Sequence, residues 1–212
     1  FCFEVQYLGD IVEKNILGTV FHEHMIHYSL RSAKAFLRIY GLDIIDYERN
    51  NIQNGSIVFM ACHVDSKFSR LAQRDKLARL EEYEHHIGID STDWSYGFRD
   101  RISVIRANAQ TYLADKSKVC GYGAARSGPT IAIQYGIEEK ISCLFDDHPS
   151  KCGKFSPFRG LRVRSTSELR VEEFSHTVIL AYIHYKPIIR NNMDYLSSGG
   201  KFIILWPSFM VI

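Results

Sequence analysis

The sequence predicts an α/β protein, and three observations in its second half support this fold class. Strand-like and helix-like segments alternate through residues 117–212, which is typical of a small parallel sheet flanked by helices. A short apolar strand at residues 118–120 runs into a glycine-rich turn that a helix follows. The continuous apolar run at residues 177–182 indicates a strand that is covered on both faces.

The beginning of the chain is also predicted to alternate between strands and helices. Residues 1–5 form a strand, and residues 6–13 carry apolar side chains at helical spacing. Ser29 is a good N-cap for the helix that follows it. Two further strands are predicted at residues 42–48 and 56–62, joined by a segment rich in asparagine and glycine.

Two helices are predicted in the middle of the chain. Charged and apolar residues interleave from 67 to 87, which predicts one long amphipathic helix that ends at Gly88. Aromatic and aliphatic residues then recur at three- and four-residue spacing between residues 94 and 112. Such a stripe is more typical of a packing face than of a binding surface.

The C-terminal segment repeats the pattern of strand, turn and helix. A helix is expected at residues 130–135 and a strand at residues 141–145. Pro187 suits the first turn of a helix that continues to Leu196. The last predicted strand covers residues 201–206.

Composition excludes several classes of protein. The 212 residues include 26 basic and 24 acidic ones, and this balance gives no electrostatic reason to expect nucleic-acid binding. No apolar run approaches the roughly 18 residues that a membrane span requires, and no signal segment is visible. The five cysteines are odd in number and form no C-x-x-C motif, so we expect free thiols in a reducing cytoplasm. Because the chain begins at Phe1 inside a predicted strand, we expect a piece of a longer protein, although a trimmed chain would begin in the same way.

The glycine-rich turn around Gly121 and Gly123 is the first candidate site. Neither residue has a Cβ, so the turn can be tight and a ligand can approach its backbone. The amides of such a turn suit a phosphate or diphosphate. About 20 residues further on, Asp146 and Asp147 end the next strand, where a nucleotide-binding α/β fold places an acid that faces a ribose. The spacing G-x-G-x-x-x-x-G departs from the dinucleotide fingerprint, so nucleotide binding, a nicotinamide-dependent oxidoreductase and a purely structural corner all remain possible interpretations.

Three motifs stand in order along the chain: Phe-Glu-Val at residues 3–5, His-Glu-His at 22–24 and Gly-Tyr-Gly-Ala at 121–124. Asn54-Gly55-Ser56, Asp146-Asp147 and Gly199-Gly200-Lys201 accompany them. In this combination the chain resembles, over essentially its whole length, the sugar C-methyltransferases. Those enzymes use S-adenosylmethionine to methylate a carbon of a nucleotide-linked keto-sugar.

The resemblance implies three parts. Residues 1–63 would be the end of a Rossmann-like methyltransferase domain, residues 64–116 connecting helices, and residues 117–212 a C-terminal Rossmann-like parallel α/β domain that holds the nucleotide-sugar. The zinc-module cysteines and the glycine-rich S-adenosylmethionine loop of the family do not occur in this sequence. The donor loop is therefore expected upstream of Phe1, and these residues alone are not expected to methylate.

The resemblance also implies site residues. His24 would be the base that removes a proton next to the ketone, Glu23 would orient it or contact the sugar, and His22 is a weaker candidate. The alternative interpretation is a polar segment without chemistry. No metal is expected, because the segment is not an H-E-x-x-H motif and no carboxylate or cysteine spacing supports a site. The expected substrate-binding residues are Gly121, Tyr122, Gly123, Ala124, Arg126, Asp146, Lys151, Asn54 and Ser56.

Four departures from the family pattern fall at predicted site positions. Phe21 stands where a tyrosine is expected, Gln53-Asn54 where His-Gly is usual, Tyr182-Ile183 where Trp-Asn is expected, and His148 where an asparagine is expected. These departures indicate a divergent or decayed member of the family. A module that binds a nucleotide-sugar but has no methyl donor site, or an inactive fragment, therefore remains an alternative to part of an active enzyme.

Overall fold

The computed structural model describes residues 1–21 and 23–212, which form two compact units. Unit 1 comprises residues 1–16 and 23–100, and unit 2 comprises Leu17–Phe21 and Arg101–Ile212. The predicted α/β fold class is confirmed by the helices and by two sheets, of which the larger has six mostly parallel strands. Among the described residues, no helix is both long enough and apolar enough to cross a membrane.

The sheet of unit 1 has three strands, β1 (Cys2–Gln6), β2 (Leu42–Asn50) and β3 (Ser56–His63). Both pairings are antiparallel and β3 lies in the middle, with Phe59 opposite Phe3 of β1 and Tyr47 of β2. Alternate residues of β3, among them Ile57 and Phe59, are fully buried, as expected for a strand with one face on a core. The predicted strands in this part of the chain are confirmed.

Unit 1 also contains the helices α1 (Leu8–Glu13), α2 (Leu30–Arg38) and α3 (Arg74–His86). The predicted cap of α2 is confirmed, because the Ser32 amide donates to Ser29 Oγ at 3.1 Å and the Ser29 amide donates to Ser32 Oγ at 2.9 Å. A reciprocal cap of this kind stabilises a helix start by about 1 kcal/mol. It fixes the point at which the segment that carries His24 ends.

The prediction of one long helix over residues 67–87 is wrong. Lys67–Leu71 forms a short 3-10 helix, and α3 begins only at Arg74. The chain breaks there because the Gln73 amide donates to the Ile45 carbonyl of β2 at 2.7 Å, a bond that a continuous helix would replace with one to its own preceding turn. Phe68, which the pattern assigns to an apolar helix face, is 52% exposed.

An apolar cluster joins the helices of unit 1 to its sheet. Burial of each such leucine or phenylalanine side chain contributes about 1.5–3 kcal/mol to folding. The cluster includes Leu30 and Leu37 of α2, Leu77 and Leu80 of α3, and Ile57 and Phe59 of β3.

The helix α4 (Trp94–Leu113) contains the boundary between the two units, which falls after Asp100. In its second half Ile105 and Ala109 are buried, whereas Val104 is 61% exposed. The predicted packing face of this stretch is therefore confirmed.

Unit 2 contains the strands β4 (Val119–Tyr122), β5 (Leu144–Asp146), β6 (Val163–Ser165), β7 (His176–Ile179), β8 (Lys201–Ile204) and β9 (Met210–Val211). They lie in the order β6-β5-β4-β7-β8-β9, and all neighbours are parallel except β8 and β9. The chain moves outward from β4 through β5 and β6, returns, and moves outward on the other side through β7 and β8. The strand order thus reverses between β4 and β7, and such a point leaves a crevice at the carboxyl ends of the strands.

The helices of unit 2 beyond α4 are α5 (Gly128–Gln134), α6 (Tyr185–Asn191) and α7 (Met193–Ser197). The prediction of one helix from Pro187 to Leu196 is wrong, because the chain leaves helical geometry at Asn192, where φ is −128°. The side-chain amide of Asn192 donates to the Ile188 carbonyl at 2.7 Å. This bond satisfies one of the carbonyls that the end of α6 leaves without a helical partner.

The five cysteines are free, as predicted. Cys120 and Cys143 are buried in unit 2, whereas Cys2 is exposed in unit 1. Burial raises the pKa of the Cys143 thiol to about 11 and also raises the pKa of the Cys120 thiol.

Candidate functional site

A cavity of about 470 Å³ opens in unit 2 beside the carboxyl ends of β4 and β7. The strand order reverses at this point, so the topology alone predicts a ligand there. Ligand pockets usually enclose about 300–1,000 Å³, and the cavity is therefore large enough for a small organic molecule. Its polar lining includes Asp146, Asp147, His148, Lys151, His184 and Asn191.

The structure brings together several of the predicted substrate-binding residues. Those that line the cavity are Tyr122, Gly123, Asp146 and Lys151. Those that belong to the same strand and turn are Gly121, Ala124 and Arg126. Asn54 and Ser56 lie in unit 1.

The geometry of the glycine turn is set by packing. Gly123 has a φ of +101°, in the region that favours glycine. A Cβ at this position would stand 2.5 Å from the Ala181 Cβ and 2.8 Å from the Ala181 amide nitrogen. A Cβ at Gly121 would similarly approach the Leu144 side chain to 2.7 Å. Glycine is required at position 123, where both the backbone conformation and the Ala181 backbone oppose a side chain, whereas the leucine side chains next to Gly121 can shift.

Asp146 is 5% exposed, and its carboxylate accepts hydrogen bonds from three groups of the protein. Oδ2 accepts from the Ala124 amide at 2.8 Å and from Lys151 Nζ at 2.9 Å, and Oδ1 accepts from the His148 amide at 2.9 Å. Burial opposes the charged form of Asp146, but these hydrogen bonds hold its pKa below the usual value. The carboxylate thus joins the glycine turn to the loop after β5.

The predicted base lies in unit 1, in the residues from 23 to the start of α2. Glu23 is exposed and His24 is half-buried, and the His24 ring lies 6.1 Å from the His27 ring, centroid to centroid. Both ring nitrogens of His27 are buried without a hydrogen-bond partner among the described residues. Burial lowers the pKa of His27, and the charge of His24 lowers it further. The predicted residue His22 lies outside the described residues.

A buried carboxylate fixes the end of this segment. Glu84 of α3 is 1% exposed, and its Oε1 accepts hydrogen bonds from the Leu30 amide at 2.6 Å and from the Tyr7 hydroxyl at 3.0 Å. Its Oε2 accepts from the Arg31 amide at 3.3 Å. Because the first amides of a helix have no partners within it, Glu84 satisfies the start of α2 and ties it to Tyr7, the residue before α1.

Replacement of Glu84 by glutamine is expected to change how the stability of the chain depends on pH. Burial raises the pKa of Glu84, although its three hydrogen bonds oppose this shift. The folded-state pKa lies above the ordinary value of 4.5. At pH values between the two, the folded chain therefore binds more protons than the unfolded chain. The resulting stabilisation is complete below pH 4.5 and is lost as the pH rises through the raised pKa.

Urea denaturation of the wild type and of Glu84→Gln, at several pH values above 4.5, measures this effect. The wild type should lose stability relative to the variant as the pH rises. Glu82→Gln, an exposed position on the same helix, is the control and should show no such trend. A difference between wild type and Glu84→Gln that stays constant with pH would contradict the raised pKa.

Asn54 and Ser56 flank Gly55 in the connection between β2 and β3. Ser56 Oγ donates to Glu4 and also lies 2.8 Å from Asn50 Oδ1. The Asn54 carbonyl accepts from Lys14 Nζ at 2.7 Å, and its side-chain nitrogen is buried without a partner among the described residues. The polar atoms of Ser56 are thus used within unit 1, and substrate contact by either residue stays a prediction.

His184 and Asn191 line the cavity but are not among the predicted site residues. Neither belongs to a motif. The one signal that could have found them is their place in the chain, because His184 follows the predicted strand at residues 177–182 and loops at the carboxyl ends of parallel strands form the ligand crevice.

Comparison with known proteins identifies the family. Residues 51–207 match the model of the C-methyltransferase C-terminal domain. The chain is 28% identical over 217 residues to the C-methyltransferase NovU of Streptomyces niveus, an alignment that covers 100% of this chain and 51% of NovU. The chain thus spans about half the length of this curated relative. Since the family model matches most of the chain, these residues belong to the C-methyltransferase family.

Proposed function

We propose that this chain is part of an enzyme that methylates a carbon next to the ketone of a nucleotide-linked keto-sugar. The observation that carries the proposal is the cavity at the reversal point of the sheet in unit 2, in a chain of the C-methyltransferase family. S-Adenosylmethionine is the methyl donor that this family implies. Residues 117–212 would hold the nucleotide end of the substrate, and the segment with His24 would supply the base.

The lining of the cavity supports a nucleotide. Lys151, His148 and His184 lie around it and supply cationic or hydrogen-bond donor groups that suit a diphosphate. The Ser150 amide donates to His148 Nδ1 at 3.3 Å, so the neutral ring carries its proton on Nε2 and remains a donor. The acidic groups of the same lining suit sugar hydroxyls.

Methyl transfer to carbon requires a carbon nucleophile. A C–H bond next to a ketone is acidic enough only when a base removes the proton while the charge on the oxygen is stabilised. We assign the base to His24, because imidazole titrates near neutrality; its ring nitrogen takes the proton and leaves an enolate. Glu23 is assigned to orient His24 or to contact the sugar. The donor, when bound, supplies the methyl group that the enolate carbon attacks.

The described residues do not fit the donor. The sheet of unit 1 is wholly antiparallel, so it offers no parallel strand that leads through a glycine-rich turn into a helix. The glycine turn of unit 2 already donates its Ala124 amide to Asp146. We therefore propose that residues outside this chain bind S-adenosylmethionine, which agrees with a chain that covers 51% of NovU.

Calorimetric titration of the 212-residue chain tests the proposal. Thymidine diphosphate is expected to bind, and His184→Ala is expected to weaken that binding because it removes a donor from the lining. His85→Ala, an exposed histidine of unit 1, is the matched control and should bind as the wild type does. Absence of thymidine diphosphate binding would overturn the nucleotide assignment, and binding of S-adenosylmethionine would overturn the placement of the donor site.

A second candidate function is a nucleotide-sugar-binding module without methyl transfer. The absence of a donor site among the described residues favours it. The two functions differ in one result, because only an enzyme part transfers a methyl group when it is joined to a donor-binding domain. We further propose a reducing compartment such as the cytoplasm, because the five cysteines are free.

A further inference from the structure

We propose that Asp147, and not Asp146, binds a hydroxyl of the substrate's nucleoside sugar, and that Asp146 instead holds the glycine turn in place. The assignment rests on the proposed nucleotide site in unit 2. The sequence pattern alone treats these two adjacent carboxylates as equivalent. In this assignment Asp147 is the residue that distinguishes a nucleoside diphosphate from a simple diphosphate.

Three of the roughly four acceptor positions of the Asp146 carboxylate are already used by groups of the protein. Its two oxygens already accept from the Ala124 amide, the His148 amide and Lys151 Nζ, at 2.8–2.9 Å. A sugar hydroxyl on Oδ2 would compete with the amide that closes the turn and with the ammonium that neutralises the carboxylate. A buried amide that loses its acceptor costs the folded state about 1–3 kcal/mol.

The carboxylate of Asp147, in contrast, is available to a ligand. Asp147 is exposed and lines the cavity, and no hydrogen bond or ion pair of its side chain is found within the part of the chain that the structure describes. Both carboxylate oxygens can therefore accept from a ligand. Asp147 directly follows β5, the strand beside β4, and this is the position from which an acid reaches a nucleoside sugar in a fold with this strand order.

Tyr122 and Asp147 both line the cavity. Burial raises the pKa of the Tyr122 hydroxyl, and the negative charge of Asp147 is one of the causes that raise it further. The Tyr122 hydroxyl also accepts a hydrogen bond from Asn192 Nδ2 at 3.3 Å. Tyr122 and Asp147 thus belong to one lining, and the charge of Asp147 acts on the Tyr122 hydroxyl.

Because Asp147 is negatively charged, its replacement should change the affinities of two kinds of ligand in opposite directions. A carboxylate in a cavity that takes a diphosphate repels the ligand, so its removal should strengthen the binding of a simple diphosphate. If the same carboxylate accepts a hydrogen bond from a sugar hydroxyl, its removal should instead weaken the binding of a nucleoside diphosphate. The two ligands should therefore respond to one substitution in opposite directions.

The experiment titrates the 212-residue chain with thymidine diphosphate and with inorganic pyrophosphate. For Asp147→Asn, thymidine diphosphate is expected to bind about tenfold more weakly, because a hydrogen bond to a charged carboxylate becomes a weaker one to a neutral amide. Pyrophosphate is expected to bind as tightly as before or more tightly. Asp194→Asn removes one exposed acid of α7 and should change neither affinity. Asp146→Asn is expected to lower the melting temperature, whereas Asp147→Asn should not.

Three results would overturn the inference, and they are distinguishable. If the wild type binds thymidine diphosphate and Asp147→Asn binds it equally well, the assignment of Asp147 fails while the proposed nucleotide site stands. If Asp147→Asn weakens both ligands to the same extent, the carboxylate acts on the cavity as a whole and not on the sugar. If the wild type does not bind thymidine diphosphate, the proposed function fails and this assignment fails with it.

Discussion

In a protein that joins these residues to a donor-binding domain, His24→Ala is expected to lower the rate of methyl transfer by about 10²- to 10⁴-fold, the usual contribution of general base catalysis. Binding of the nucleotide-sugar should remain, because the cavity assigned to the nucleotide lies in unit 2 and His24 lies in unit 1. The loss should therefore appear in kcat, with little change in the affinity measured by calorimetry.

His86→Ala is the matched control for this variant, because His86 is an exposed histidine of α3 with no assigned role. Exchange of the acidic hydrogen of the keto-sugar with deuterated solvent gives a second readout, since it follows proton removal without methyl transfer. His24→Ala should lose this exchange as well. Turnover equal to that of the wild type would show that His24 is not the base.

Gly123→Ala is expected to destabilise unit 2 by about 2–5 kcal/mol. One part of this loss is the left-handed backbone at φ +101°, which costs a residue with a side chain about 1–2 kcal/mol. The other part is overlap, since the new methyl group would stand 2.5 Å from the Ala181 Cβ and overpacking costs about 1–3 kcal/mol. Urea denaturation followed by circular dichroism measures the change.

Gly153→Ala separates the cost of backbone strain from the cost of steric overlap. Gly153 also has a positive φ, +78°, but a Cβ there would meet nothing within 4 Å. Its loss should therefore be limited to about 1–2 kcal/mol of backbone strain. Equal destabilisation by the two substitutions would show that the contact with Ala181 adds nothing to the requirement for glycine at position 123.

The glycine turn shows how far the sequence predicts the site. The pattern predicts a strand, a tight turn and a helix, and β4 and α5 confirm them. It assigns the turn amides to a phosphate, yet the Ala124 amide donates to Asp146. Spacing can place an acid at the end of the next strand. Spacing does not show whether the oxygens of that acid are already used, because this depends on the path of the loop that carries His148 and Lys151.

The ends of the helices depend on local and tertiary interactions that periodicity does not contain. The predicted helix over residues 67–87 is interrupted because the Gln73 amide pairs with Ile45, and the predicted helix from Pro187 to Leu196 is interrupted at Asn192. The strand β9 is two residues long, too short for an alternating pattern to be recognised.

Chemical modification of the cysteines can be used to measure local opening of unit 2. The thiolate is the form of cysteine that reacts with an alkylating reagent. Cys120 and Cys143 are buried and have raised pKa values, so both poor access and the lack of ionisation slow their reaction. Cys2 is exposed, so a reagent can reach it in the folded chain. Modification of the two buried cysteines therefore records transient opening of the sheet beneath the cavity, whereas modification of Cys2 records only contact with solvent.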